Sequence, residues 1–399
     1  MNNGQGRFSE FLQVLRQSVF AYMFDLLGVL SGYIVALQLQ VFGLAPWTFA
    51  VYPAIVSARG VVTGMMSGRL STALNIGTVY PKYYGNTRLF SVIIESVEVA
   101  TFETSIAMGA LAIIFGRLVL GIETSEFLDI VMVILATMAF GIVISLMTIV
   151  GSFLSFKRGL DPDITTYPMT SSIADIVITL AYILVLNLYF NFGFPGKIAV
   201  LLLALFFMFL TIYFIRKNIR ELEFRKTIRE SFLTLILVAL IVNVTGTTLV
   251  RISEFIGSRK EVYTVYPALI DTVGDVGAVV GSTLTTKLAL GSIKPNLSSM
   301  GQHAAEIAGA WMASIIMFVI YSALSLTLQG RLDLFVRFTS ILLAVNLLAA
   351  GAVAIISYIS AILTFRKSLD PDNFVIPIES SLADTLTSLS LYIVLLAVR

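Results

Sequence analysis

The sequence predicts an all-α polytopic membrane protein of about eleven transmembrane helices, arranged as two parallel five-helix repeats joined by a linker helix. Three observations carry that prediction. Apolar runs of about 20 residues recur from end to end, long enough for a helix to cross a hydrocarbon core about 30 Å thick. Of 399 residues, 57% are hydrophobic and only 13% charged, and the runs lack the alternation over about 10 residues that marks a transmembrane strand. Two long segments of the first half are also written again in the second.

The spans fall at roughly 18–42, 47–75, 88–115, 128–155, 165–190, 196–215, 231–256, 262–290, 301–328, 334–364 and 374–398. The opening "MNNGQGRFSEFLQVL" lacks the basic-then-apolar order of a cleavable signal, so the first span is expected to direct insertion. Lys82 and Arg88, Lys157 and Arg158, the cluster "RKNIRELEFRKTIR", Lys294, and Arg366 with Lys367 fall on one side; Arg259 and Lys260 are the exception. The positive-inside rule then predicts a multi-pass plasma-membrane protein with its N-terminus in the cytoplasm and its C-terminus outside. Segment 216–230 reads as a basic amphipathic helix at the anionic inner leaflet, and resembles "RFSEFLQVLRQS" ahead of the first span. Six basic residues mixed with acids give no support to a nucleic-acid role.

The repeat organises these elements. "YPAIVSARGVVTGMMSGRLSTALNIG" (52–77) aligns without a gap to "YPALIDTVGDVGAVVGSTLTTKLALG" (266–291), and "GLDPDITTYPMTSSIAD" (159–175) to "SLDPDNFVIPIESSLAD" (368–384). Residues 1–190 form the first five-helix repeat with its N-terminal amphipathic segment, 191–230 the linker helix and basic segment, and 231–399 the second repeat. Five helices would invert a directly fused copy; the sixth restores parity, giving parallel repeats about an axis along the membrane normal, as in some transporters. Two facing copies are expected to enclose one central path within a single chain.

The chemistry lies inside the spans. Asp25, Glu95, Glu98, Glu103, Asp175, Asp271, Asp275, Glu306, Glu379 and Asp384 are placed there; the bases Arg59, Arg69, Arg251 and Lys287 are fewer and are placed near span ends. A carboxylate at a helix centre costs about 2.5–3.5 kcal/mol on insertion scales, so such acids point to an ion path. Asp175 and Asp384 each lie ten residues into their span, about 15 Å, at mid-bilayer. Two such carboxylates suit a hard divalent cation that keeps part of its water shell, the alternative being a cap or bond to a neighbouring helix. Asp271 and Asp275, four apart on one face, suit a second cation site, a proton site or a salt bridge. Glu95 with Glu98, and Glu306 with Gln302, either line the path or pair with Arg59 or Arg69. Pro168 and Pro377 are expected to kink their helices and turn a freed carbonyl toward the path. The "LDPD" aspartates, Asp161, Asp163, Asp370 and Asp372, read as helix caps, the alternative being a weak cation-collecting vestibule. Zero cysteines exclude thiolate chemistry and disulfides, and a single histidine, His303, excludes a multi-histidine centre.

These residues resemble the MgtE-type magnesium transporters, and within them the solute carrier family 41 branch, which fuses two such membrane domains. That family's second-helix signature is approximately Pro-x5-Lys-Gly-Asn-Leu-Glu followed by Ser-Arg-Leu-Ser-Thr-x-x-Asn. This chain keeps Pro53, the basic Arg59, Gly60 and "GRLSTALN". The fifth-helix signature, Asp-Pro-Asp-Asn then Pro and Gly-Asp, is matched by Asp370, Pro371, Asp372, Asn373, Pro377 and Asp384, and in the first copy by Asp161, Pro162, Asp163, Pro168 and Asp175. The resemblance implies divalent-cation transport, chiefly of Mg²⁺ as the transported ligand, through a pore centred on Asp175 and Asp384. The signature Asn and Glu positions are Val61 and Thr63 in one copy and Asp275 and Gly277 in the other, so the lining, in which Thr63 is counted, is asymmetric. No cofactor is implied. The rival transport reading is a monovalent cation/proton antiporter using the same carboxylates. An intramembrane aspartyl protease is a remote enzyme alternative, because "TVGD" puts Thr272 where its Gly-x-Gly-Asp pattern needs glycine.

Overall fold

A computed structural model describes residues 3–121, 123–158, 162–257, 259–289, 292–366 and 371–398. Fourteen α-helices run through these residues: α1 (Asn3–Tyr22), α2 (Leu26–Leu37), α3 (Leu39–Phe42), α4 (Pro46–Ile76), α5 (Arg88–Phe115), α6 (Phe127–Met138), α7 (Gly141–Lys157), α8 (Pro162–Asn191), α9 (Gly193–Asn218), α10 (Leu222–Ile256), α11 (Lys260–Ala289), α12 (Ala304–Gln329), α13 (Phe335–Arg366) and α14 (Pro371–Ala397). Among the described residues there is no strand. Nine helical stretches there are long and apolar enough to cross a membrane; α11 and α14 lie where the other two spans are expected, α14 with a shorter apolar stretch, Ser381–Ala397. The polytopic helical fold is therefore as the sequence predicts. α11 carries Asp271, Asp275 and Lys287, which interrupt its apolar run.

The chain packs as two compact units, residues 1–37 with 251–399, and residues 38–250. In the first unit α11 is central, packed by α2, α12, α13 and α14, while α1 lies along α12. In the second, α4 holds the equivalent place against α5, α7 and α8, and α9 packs on α6 and α8. The helices preceding the first copy of the repeat thus pack with the second copy.

Glycines explain these docked helices. α4 and α11 each contain a proline, Pro53 and Pro267, at the same repeat position. A helix-interior proline removes the bond to the carbonyl four residues back, here that of Phe49 and of Tyr263. A Cβ on Gly32 of α2 would collide with the carbonyls of Tyr263 and Thr264, and one on Gly246 of α10 with the carbonyl of Ala50. Gly32 and Gly246 are equivalent under the repeat alignment, as are Thr264 and Ala50. Only a residue without a side chain lets two backbones come this close, the small-residue contact of membrane helices.

Three expectations change. The first span is not one helix beginning near residue 18: it starts at Asn3 and breaks at the 3-10 turn Met23–Asp25. The fourth breaks between Met138 and Gly141, where Phe140 N–H bonds Thr137 O at 3.0 Å, whereas α13 is continuous. The basic linker from Leu222 onward joins α10, with Phe224 buried against Val92 and Val99 and Arg225 and Lys226 exposed. Apolar residues on one stripe direct it onto α5.

Candidate cation site

The site-bearing helices are α8 and α14, each packed on its proline-containing partner, α4 or α11. Asp175 and Asp384 fall near the middle of helices of 30 and 27 residues. Both are buried, at 1% and 8% exposure. One turn on, Thr179 Oγ1 lies 3.1 Å from the hydroxyl of Tyr52, and Ser388 Oγ lies 2.7 Å from that of Tyr266. Ser388 donates to the carbonyl of Asp384 at 2.7 Å, so Tyr266 is the donor in its pair. Both tyrosines are the first residue of the repeated Tyr-Pro-Ala. The same buried bond fixes the same aspartate-bearing turn in each unit.

The two turns differ in charge. Arg59, 3% exposed, places one guanidinium nitrogen on the Asp175 carboxylate, while the other donates to Ser171 Oγ at 2.6 Å and Ser171 O at 3.1 Å. Arg59 is in the interior of α4 rather than near a span end, because α4 runs unbroken from Pro46 to Ile76. The second copy has Val273 at that position, and Gly274 beside it faces the Ala383 methyl at a Cβ distance of 3.8 Å. A fixed positive charge therefore stands at one repeated aspartate and has no counterpart at the equivalent position beside the other.

The remaining candidates have defined partners. Glu95 pairs with Lys217 at 2.5 Å and accepts from Asn218; Glu98 accepts from Ser145 Oγ at 2.6 Å. Glu306 pairs with Lys287, which also reaches Glu10 at 3.6 Å. Neither Glu95 nor Glu306 takes the arginine partner the sequence suggested, and Arg69 instead donates to Thr227 of α10. Thr63 is buried and bonds back to Arg59 O at 2.8 Å. His303 is packed, its Nε2 3.1 Å from Thr283 Oγ1. Asp271 and Asp275 are partly buried on α11, flanking Thr272. The side chains of Pro168, Pro377, Asp163, Asp370, Asp372 and Glu379, and residue Asp161, lie outside the described residues. Among the described residues no three acidic or histidine side chains gather closely enough to cage a metal ion; a hydrated ion held by one or two carboxylates needs no such cage.

The family model for MgtE, described as a divalent cation transporter, matches residues 52–185 and 266–394, the two copies of the repeat and more than half of the chain. The chain belongs to the MgtE family. MgtE proteins are transporters rather than enzymes, and the matched segments cover most of α4 with α8 and of α11 with α14, the helices just described. No curated protein matches this MgtE-family chain. Among solved structures it is similar to an inward-facing multidrug resistance MATE family transporter of the MOP superfamily, at 13% identity over 93% of each chain with a TM-score of 0.33. It is likewise similar to MATE in complex with MaL6, at 13% identity over 98% of this chain and 97% of that one with a TM-score of 0.34. Likeness at that level carries no inference about this chain.

The residues that sequence reasoning passed over are Arg59 as the partner of Asp175 and the Tyr52 and Tyr266 hydroxyls. The tyrosines had a signal: an identical Tyr-Pro-Ala opens both copies, and a hydroxyl residue follows each aspartate by four.

Proposed function

We propose that this MgtE-family protein carries Mg²⁺ across the plasma membrane, with its N-terminus cytoplasmic, and that each unit offers the ion one mid-membrane aspartate, Asp175 or Asp384. The observation that carries the reading is the repeated turn: a buried aspartate, one helical turn before a hydroxyl locked to the tyrosine of the partner helix, once in each unit. A carboxylate held this way is a preorganised oxygen ligand for a hard cation that retains most of its water. The Arg59 guanidinium makes the contributions unequal. At Asp384 the ion meets a carboxylate with no arginine at the equivalent repeat position; at Asp175 it competes with a resident positive charge.

The test is divalent flux into proteoliposomes reconstituted with the full chain, followed with an indicator dye. Asp384→Asn is expected to reduce Mg²⁺ flux strongly, Asp175→Asn to reduce it, and the double variant to abolish it. Wild-type flux in the double variant at normal reconstitution would reject the assignment. Exchange of monovalent cations for protons without divalent flux would favour the antiporter reading.

A further inference from the structure

Away from the two aspartate turns, α1, α11 and α12 meet at a polar cluster that lies within one unit. Lys287 of α11 pairs with Glu306 of α12 and reaches Glu10 of α1 at 3.6 Å. His303, the residue before α12, is 0% exposed, and Glu306 is 3% exposed. The Nε2 atom of His303 stands 3.1 Å from Thr283 Oγ1 and 3.3 Å from the Val280 carbonyl. The Thr283 hydroxyl donates its own hydrogen to the Val279 carbonyl at 2.6 Å. Both neighbours of Nε2 can then only accept, so Nε2 carries the hydrogen of the neutral ring. That tautomer leaves Nδ1 as a bare lone pair, 3.5 Å from Glu306 Oε2. Neither Nδ1 nor Oε2 has a hydrogen-bond partner among the described residues. Two buried acceptors that face each other lack the one thing that would join them, a proton. The packing shelters this contact. A Cβ on Gly309, one turn after Glu306, would stand 3.0 Å from Phe11 O and 3.1 Å from Leu15 N, so the α1 backbone lies directly on α12 there.

We propose that His303 and Glu306 form a proton-binding site, in which Nδ1 takes one proton from water and holds it against Glu306 Oε2. The neutral ring becomes an imidazolium, and the contact becomes a charge-assisted hydrogen bond. The charged groups that face the ring are Glu306 of α12, Lys287 of α11 and Glu10 of α1. α13 brings the Tyr358 ring, 6.2 Å away between centroids, and the turn Leu297–Gln302 brings no charged side chain. With Lys287 set against two carboxylates, the cluster carries one negative charge in excess, which the proton cancels. Among the described residues no third acidic or histidine side chain stands close enough to make the pair a metal site. His303 precedes the apolar span Ala304–Gln329. Burial lowers its pKa from the ordinary value; Glu306, the Val280 carbonyl and Glu10 oppose that, and Lys287 adds to it. The site is therefore bare at neutral pH and fills in acid. The Lys287 and Glu10 side chains are 25% and 48% exposed, so they are the layer between the buried pair and water. The set occurs once: His303 is the single histidine, and the first copy has Arg69 and Ala73 at the positions of Thr283 and Lys287. Proton binding here is independent of the transport reading.

A single histidine makes the test direct. The full chain, purified in detergent through a histidine-free tag and kept in EDTA, is labelled with ¹⁵N at histidine, and the two ring nitrogens are followed by NMR as pH is lowered. At alkaline pH the ring is expected as the neutral Nε2–H tautomer, and in acid Nδ1 is expected to take its proton in one transition. Glu306→Gln should weaken that proton's affinity by about tenfold or more, the loss of a counter-charge beside the ring, and Glu10→Gln should weaken it by less. The wild-type tautomer and titration read the site even where Glu306→Gln folds poorly. A neutral Nδ1–H tautomer would overturn the proposal, as would a folded chain that takes no second proton above about pH 4, well below the ordinary imidazole value. A titration unmoved in a folded Glu306→Gln chain would overturn it too. So would a wild-type titration displaced when Zn²⁺ replaces EDTA at equimolar metal, since the pair would then be a metal ligand set.

Discussion

Replacing Arg59 by Gln removes the guanidinium that neutralises Asp175 and leaves that carboxylate at 1% exposure. Truncating one partner of a buried ion pair costs about 3–5 kcal/mol, because the other charge stays buried without compensation. Asp175→Asn should cost less. The guanidinium keeps Ser171 O and Oγ as acceptors at 3.1 and 2.6 Å, and an amide oxygen can accept from it in place of the carboxylate. A loss of about 1–3 kcal/mol is the scale of one compromised buried bond. In the double variant both charges are gone, so the two effects should not add, and a coupling of about 2–3 kcal/mol is expected. Reversible unfolding in mixed micelles, titrated with SDS, measures all four corners of the cycle. The same Arg59→Gln protein, in proteoliposomes, should show a higher apparent affinity for the transported divalent ion, because its competitor at Asp175 is gone. Single variants each within about 1 kcal/mol of wild type with additive effects, together with unchanged affinity, would refute the reasoning.

Gly32→Ala and Gly246→Ala should each destabilise by about 1–3 kcal/mol through overpacking against the proline turn, while Gly60→Ala, whose added Cβ meets nothing within 4 Å, should not; thermal unfolding of the three variants checks the contrast. Tyr52→Phe and Tyr266→Phe should each cost about 1 kcal/mol for one lost buried hydrogen bond, and the second should also lower divalent flux more than the first, since the second copy has Val273 where Arg59 stands in the first. Lys287→Met should destabilise by about 3–5 kcal/mol by stranding Glu306, an effect that Glu306→Gln in the same chain should largely reverse, measured by the same titration.

Much of the architecture was legible because the membrane imposes it. The apolar run of α5 is closed off by Arg88 at one end and Gly116-Arg117 at the other, and the helix occupies Arg88–Phe115 as expected. Chain composition alone sets such ends. Hydropathy does not encode which helix packs against which, so the placement of residues 1–37 with the second copy of the repeat could not be read. Gly32 and Gly246 carried the signal, as an equivalent pair outside the two quoted repeat segments. The break at Met23–Asp25 was hidden because its neighbours are good helix formers; the turn is held from outside, by Thr272 and Tyr321. At the candidate site the place of Asp175 and Asp384 near the middle of their helices was readable from spacing. Their inequality was not, because it depends on Arg59 reaching across from α4 to α8. Its trace in the sequence is a substitution pattern: where the second copy loses the arginine to Val273, it gains Asp271 and Asp275.

The docking of α1 and α2 on α11 and α12 has a consequence for synthesis. These first helices leave the ribosome early, yet the surface that receives them is not made until residues beyond Lys260 have been translated. Until then Asp25 and the bare backbone at Gly28 and Gly32 must wait in the lipid or beside the translocon. Assembly of that unit is therefore a late event, and a nascent chain stalled before α11 should leave its N-terminal segment open to protease or chaperone capture.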